Sequence, residues 1–189
     1  MSATNGHLVL YMFSLFITAL PFSSVGPLIP FMASDLGIDE TEYSIMFVWI
    51  SVATFTAAII YKVLGKYRLL PSFHTTLIIS CLEMAIFSVV FTFMKTKSTQ
   101  IIIISIIKFF NYVFVVGANI CLMIAPPKKE IALWMSFSHG AYGFGSLAGP
   151  ILVGFLEQKV FYVVAAACLL AIPIFFFLTS PENLVKSTE

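Results

Sequence analysis

Six long apolar runs alternate along the chain with short clusters of charged and turn-forming residues. A helix needs about 20 residues to cross a hydrocarbon core, and six stretches reach that length: 8–32, 43–64, 72–94, 100–125, 131–156 and 160–178. The breaks carry helix-ending chemistry. Asp35, Gly37, Asp39, Glu40 and Glu42 part the first two runs, and Lys62, Gly65, Lys66, Arg68 and Pro71 the next pair. Lys95 and Lys97 follow the third, Pro126-Pro127-Lys128-Lys129-Glu130 the fourth and Glu157-Gln158-Lys159 the fifth. The pattern predicts an all-α, polytopic membrane protein with six transmembrane helices in a single domain over residues 1–189. Loops this short make consecutive helices antiparallel. Ala57-Ala58 in the second span and Gly145, Gly149 and Gly154 in the fifth point to a 3+3 repeat bundle, an arrangement transporters use.

Composition agrees with this reading. Hydrophobic residues make up 60% of the chain and charged residues 10%, whereas a soluble domain carries roughly 25% charged residues. Twenty Phe and runs such as Ile101-Ile102-Ile103-Ile104 would drive aggregation in water, but in lipid they are the solvent-facing surface. A net charge of +1 implies no nucleic-acid partner. Lys62, Lys66, Arg68, Lys128, Lys129 and Lys186 fall on the side of the even loops and termini, and Lys95, Lys97 and Lys159 on the other. By the positive-inside rule both termini face the cytoplasm, or the matrix of a mitochondrion. The leader Met1-Ser2-Ala3-Thr4-Asn5-Gly6 has no basic residue, unlike a cleaved signal or an Arg-rich presequence. A plasma membrane or an organelle membrane, the mitochondrial inner membrane included, therefore fits.

Enzyme chemistry is not expected. No Ser/His/Asp set, phosphate loop or zinc-ligand spacing is present, and His7, His74 and His139 are scattered. Cys81, Cys121 and Cys168 lie in apolar stretches without CxxC spacing and read as small buried apolar residues. No cofactor and no metal is implied.

The candidate residues lie inside the spans. Span one holds Pro21, Gly26, Pro27 and Pro30. Each proline deletes a backbone donor that lipid cannot replace, so the helix either lines a watery cavity or is a kinked packing helix. In span five Ala141, Gly145 and Gly149, with Pro150 following, recur every four residues. They make a smooth face for close backbone packing, which would also let helices slide. Glu83 and Lys108 are deep charges, each costing on the order of 2.5–3.5 kcal/mol unpaired. Counted from the loop they share, they sit at similar depth. They form an ion pair, couple a proton or substrate, or Lys108 snorkels outward. Asn111, three residues from Lys108, shares its face. Asn111, Asn119 and His139 serve interhelical hydrogen bonds or line one cavity.

The string Pro21, Gly26-Pro27-Leu28-Ile29-Pro30-Phe31 and Asp35-Leu36-Gly37 resembles the first helix of the major facilitator superfamily. Gly117-Ala118-Asn119 with Trp134, His139-Gly140, Gly143-Phe144-Gly145 and Gly149-Pro150 is similar to the fourth and fifth helices of its fucose-permease-like and sodium-dependent-glucose-transporter-like branch. The resemblance covers the N-terminal six of the family's twelve helices. It implies helices one and four at a cavity, two and five flanking it, and three and six outermost. It makes Asn119 and His139 candidate cavity residues. The family's Gly, Asp-Arg, Gly-Arg loop reads Tyr61-Lys62-Val63-Leu64-Gly65-Lys66-Tyr67-Arg68 here, with the Asp absent.

Two functions follow as expectations. One is a half-size transporter for a sugar or other small polar solute, completed by a second six-helix bundle as a homodimer or from a separate chain. The other is a non-transporting structural or accessory subunit of a larger membrane complex, with Glu83 as a partner contact.

Overall fold

Helix-ending residues set the boundaries that the structure adopts. The structure is a computed structural model and describes residues 3–177; position 178 of the last expected span and Lys186 lie outside the described residues. The described residues form seven α-helices: α1 (Ala3–Leu36), α2 (Glu40–Tyr43), α3 (Met46–Lys66), α4 (Phe73–Phe91), α5 (Lys97–Ile124), α6 (Ile131–Leu156) and α7 (Val160–Phe177). No strand occurs among them. Short 3-10 turns, Lys128–Glu130 and Glu157–Lys159, lead into α6 and α7.

α1 runs past the expected 8–32 at both ends. It stops at Gly37, whose φ of +64° is open to glycine at no steric cost. Ile38 N–H donates to the Ala33 carbonyl (3.0 Å) and Gly37 N–H to Ser34 (3.1 Å), the paired bonds of a Schellman cap. The first loop also winds the extra helix α2. Its N-cap Asp39 accepts from Thr41 N–H at 2.7 Å. This carboxyl is held below the usual range by the Thr41 hydroxyl and then the Thr41 N–H. Ser72 and Thr96 cap α4 and α5 in the same way.

Five continuous helical stretches are long and apolar enough to cross a membrane, and the last, Lys128–Phe177, is 50 residues long and holds α6, α7 and the turns before each. Packing fixes their directions. Gly145 of α6 lies on Phe16 and Ala19 of α1, Gly149 on Leu20 and Ser23, and Gln158 bonds Asp35 at 3.4 Å, so α1 and α6 run parallel. They form the most extensive helix pair. α7 turns back along α4, with Phe161 against Phe91 (4.5 Å between centroids) and Phe175 against His74 (5.6 Å). α5 opposes α4, with Asn111 beside Met84 and Gly117 beside Leu77. α1, α4 and α6 thus run one way and α3, α5 and α7 the other.

Two apolar clusters fill the bundle. One packs Leu8–Leu20 of α1, Leu77–Ala85 of α4, Phe114–Leu122 of α5 and Val164–Phe175 of α7. The other, at the far end, packs Val25–Ala33, Phe91, Ile101–Ile107, Val153 and Phe161 with Tyr43, Met46 and Ile50. Polar bonds lace the far-end loops together. Tyr43 O–H donates to Gln100 Oε1 (2.8 Å), Lys97 pairs with Glu42 (2.6 Å), and Thr92 O–H donates to the Tyr162 hydroxyl (2.9 Å). The end where α1 starts carries Lys62, Lys66, Arg68, Lys128 and Lys129, while the far end carries Asp35, Asp39, Glu40, Glu42 and Glu157 beside Lys95, Lys97 and Lys159.

Candidate functional site

Between the two apolar clusters lies a polar layer built on the kink-forming residues of α1. Pro21 has no N–H, so the Ile17 carbonyl loses its helical donor, and two carbonyls that follow it, those of Thr18 and Pro21, receive donors from α5. Asn111 Nδ2 donates to the Thr18 carbonyl (2.8 Å) and Lys108 Nζ to the Pro21 carbonyl (2.8 Å). Both side chains are almost fully buried. Lys108 Nζ also stands over the Phe22 ring, 4.6 Å from its centroid, a favourable place for a cation. Ser24 turns its hydroxyl back to the Leu20 carbonyl at 2.7 Å. Ser88 of α4 falls in the same layer, where its buried Oγ has no hydrogen-bond partner among the described residues.

Glu83 does not pair with Lys108, which corrects the ion-pair expectation. The two do lie at neighbouring depths, since Met84 Sδ is 3.9 Å from Asn111 Nδ2. Depth is only one coordinate, however. Leu77, Cys81, Met84, Ser88 and Phe91 are the buried stripe of α4. Glu83 is one residue, or about 100°, off that stripe, beside exposed Leu82, Ile79 and Ile86. It is partly buried, and neither a hydrogen bond nor an ion pair is formed to it among the described residues. Lys108 does not snorkel either, being 3% exposed.

Outside the polar layer a groove of about 430 Å³ opens between α1, α3 and α5, lined by Phe22, Ile50, Ser51, Thr54, Phe55, Ala58 and Tyr112. The Ser51 and Thr54 hydroxyls donate to their own helix, at Phe47 (2.8 Å) and Ile50 (2.9 Å), so their lone pairs remain as acceptors. Of these lining residues only Ala58 was named in the sequence, as part of the repeat signal rather than as a site residue. The available signal was the run of hydroxyls and aromatics on one face of the second span. Tyr112 follows Lys108 by four residues and so shares its side of α5.

The other candidates fall on neighbouring surfaces. Asn119 is eleven residues beyond Lys108, about 20° round α5. It is partly buried, and its buried Oδ1 has no hydrogen-bond partner among the described residues. His139 is exposed on α6, and no hydrogen bond joins it to Asn119, Asn111 or Lys108 among the described residues. It shares one side of α6 with Ser136, Gly143, Pro150 and Gly154, all exposed, while Phe137, Phe144, Ile151 and Phe155 expose bulky apolar groups on the adjacent side. Gly145 and Gly149 are buried against α1, where an added Cβ would collide with Phe16 O and with Ser23 Oγ respectively. Pro27 is partly buried and Pro30 exposed on α1.

The histidines that look scattered along the chain are not all scattered in space. His7, Tyr11 and His74 are buried together where α1, α4 and α7 meet. Tyr11 Oη lies 2.7 Å from His74 Nε2, and the two imidazoles are 6.4 Å apart. His7 and Tyr11 are one turn apart, which was the legible half of this cluster.

A sequence model of the Major Facilitator Superfamily matches residues 11–189 of the chain. No individual curated protein matches it.

Proposed function

Because the chain belongs to the Major Facilitator Superfamily, we propose that this integral membrane protein is one six-span bundle of a transporter for a small polar solute. The bundle works against a second six-helix bundle, with both termini on the cytoplasmic or matrix side. The observation that carries this reading is the surface shared by α1, α3, α5 and α6. Beside a belt of Phe and Ile suited to lipid, α6 exposes Ser136, His139, Gly143, Pro150 and Gly154, and the Phe22–Tyr112 groove opens between the other three helices. Polar and small residues gain nothing from contact with acyl chains, so a second bundle and a hydrated path between the two account for them. The direction follows from Lys62, Lys66, Arg68, Lys128 and Lys129 at the end where α1 starts.

A sugar is the first solute to test, on the resemblance of spans four and five to the fucose-permease-like and sodium-dependent-glucose-transporter-like branch. The experiment is uptake into proteoliposomes with His139→Ala and Asn119→Ala. Neither side chain belongs to the apolar clusters, so both variants are expected to assemble normally and to lose uptake. Uptake that survives both changes would sink this assignment of the path.

Partly buried, unpartnered Glu83 on α4 favours a second reading, a structural subunit held in a larger membrane complex through that carboxylate. Under that reading Glu83→Leu lowers the yield of a large assembly on native sizing. An unchanged yield, or migration only as a homodimer or as a pair with one other six-span protein, would count against it.

A further inference from the structure

Lys108 is a buried charged side chain that the packing of the bundle does not explain. Its ammonium carries three N–H donors, and the structure gives it one carbonyl, Pro21 O at 2.8 Å, and one aromatic face, Phe22 at 4.6 Å. A tie between α5 and the proline-bearing α1 needs only a donor. Asn111 already supplies one a turn away, at the same 2.8 Å and without a charge. No carboxylate among the described residues balances Lys108, since Glu83 at neighbouring depth belongs to a different side of α4. An intramembrane lysine pairs with an acidic group or with backbone carbonyls and marks substrate paths, so a donor set with one carbonyl filled leaves room for an anion.

The groove indicates where that anion would come from. Phe22 touches the buried ammonium on one side, yet the residue is 56% exposed and lines the groove. Phe22 therefore stands between the two. Inside the groove, Ser51 and Thr54 have spent their hydroxyl hydrogens on their own helix. They therefore offer acceptors, which suit hydroxyl groups on a solute, and Phe55 and Tyr112 offer ring faces. We propose that Lys108 anchors the carboxylate of a hydroxylated organic acid, of the sugar-acid class, which enters the groove between α1, α3 and α5 as Phe22 swings aside. The proposal rests on the transporter reading and narrows its solute from polar to anionic.

The test uses two pairs of probes that differ in the carboxylate, glucuronate with glucose and gluconate with sorbitol. Binding is measured on the full-length protein in lipid nanodiscs by equilibrium binding and thermal shift, and flux in proteoliposomes. At least one acid should bind and its neutral counterpart should not. Lys108→Met should weaken the acid by about tenfold or more, as expected for losing a charge-assisted bond. Phe22→Ala removes an exposed side chain, so it should fold, and uncovering the ammonium should strengthen acid binding several-fold. This second variant keeps the test decisive if Lys108→Met does not fold. Equal binding of acids and neutral counterparts, or acid binding unchanged by both substitutions, overturns the anchor while leaving transport intact. No binding and no flux for any of the four probes overturns the anchor, and uptake of an unrelated solute that depends on His139 and Asn119 would then show that the transporter reading survives it.

Discussion

Replacing Gly145 by alanine adds one methyl group where α1 and α6 come closest. An ideal Cβ there would overlap Phe16 O and lie 2.8 Å from Ala19 Cβ. Neither obstacle can rotate away, because one is backbone and the other is a methyl fixed to it, so the helices themselves must separate. Overpacking of this kind costs about 1–3 kcal/mol, and about 1 kcal/mol moves the melting temperature of a chain this size by roughly 2–4 °C. Gly149→Ala meets Ser23 Oγ first, with the Leu20 carbonyl at 3.1 Å. The Ser23 hydroxyl can swing off its bond to Ala19 O, so this variant should lose less. Gly143 has nothing within 4 Å of an added Cβ, and alanine there removes a glycine from a helix interior, worth about 0.5–1 kcal/mol in favour of the folded state. The expected order of melting temperatures is therefore Gly143→Ala at or above the unmodified protein, then Gly149→Ala, then Gly145→Ala. Trp49 and Trp134 give a fluorescence signal for unfolding in nanodiscs. If Gly145→Ala melts no lower than Gly143→Ala, the close approach of α1 and α6 is wrong.

Three smaller perturbations probe the polar contacts. Asn111→Leu keeps the branched shape but strips the Thr18 carbonyl of its α5 donor; interhelical bonds of this kind average about 0.6 kcal/mol with a maximum near 1.7, so a drop of a few degrees in the same melt is expected. Tyr43→Phe leaves buried Gln100 Oε1 without its donor and should cost about 1–3 kcal/mol, loosening the far-end loops first, which hydrogen exchange of the 92–100 segment would register. Asp39 titrates lower in the folded chain than unfolded, because Thr41 bonds its charged form through the hydroxyl and then the N–H. Its support for α2 is therefore complete above the ordinary carboxylate range and disappears as pH falls through the lowered value. Protection of the amides of Glu40–Tyr43, measured against the intrinsic exchange rate at each pH, should fall on that descent, and Asp39→Ala should lower it at neutral pH.

Helix extents were legible because lipid imposes a minimum length and the breaks are chemically marked. Pro126-Pro127 followed by a charged turn leaves α6 to begin at Ile131, the first residue of the apolar run. α1 was read too short for a different reason. Apolarity stops at the membrane surface, whereas backbone hydrogen bonding continues until a residue can take a positive φ, here at Gly37. The four-residue spacing of Ala141, Gly145 and Gly149 marks a packing face, yet nothing in that spacing names α1 as its partner. The partner depends on how six cylinders are arranged, and that is decided by contacts across the whole bundle.

The same distinction governs the polar layer. Counting residues from the shared loop gives the height of Glu83 and Lys108, and at that height α4 and α5 do meet, through Met84 and Asn111. Azimuth decides what touches, and it was available from periodicity. Ile101, Ile104, Lys108, Asn111 and Ala118 follow the inward stripe of α5, while Glu83 is off the stripe made by Leu77, Cys81, Met84 and Ser88. A wheel drawn for each helix separates the two charges before any packing is known. What no wheel could supply is the acceptor, because the Pro21 carbonyl belongs to a third helix and to its backbone. An inward lysine whose nearest carboxylate in depth is turned aside is a charge that the described bundle leaves unbalanced. On the anchor proposed above its counter-charge comes from a solute, and Phe22, beside the ammonium and lining the groove, stands on the path such a group would take.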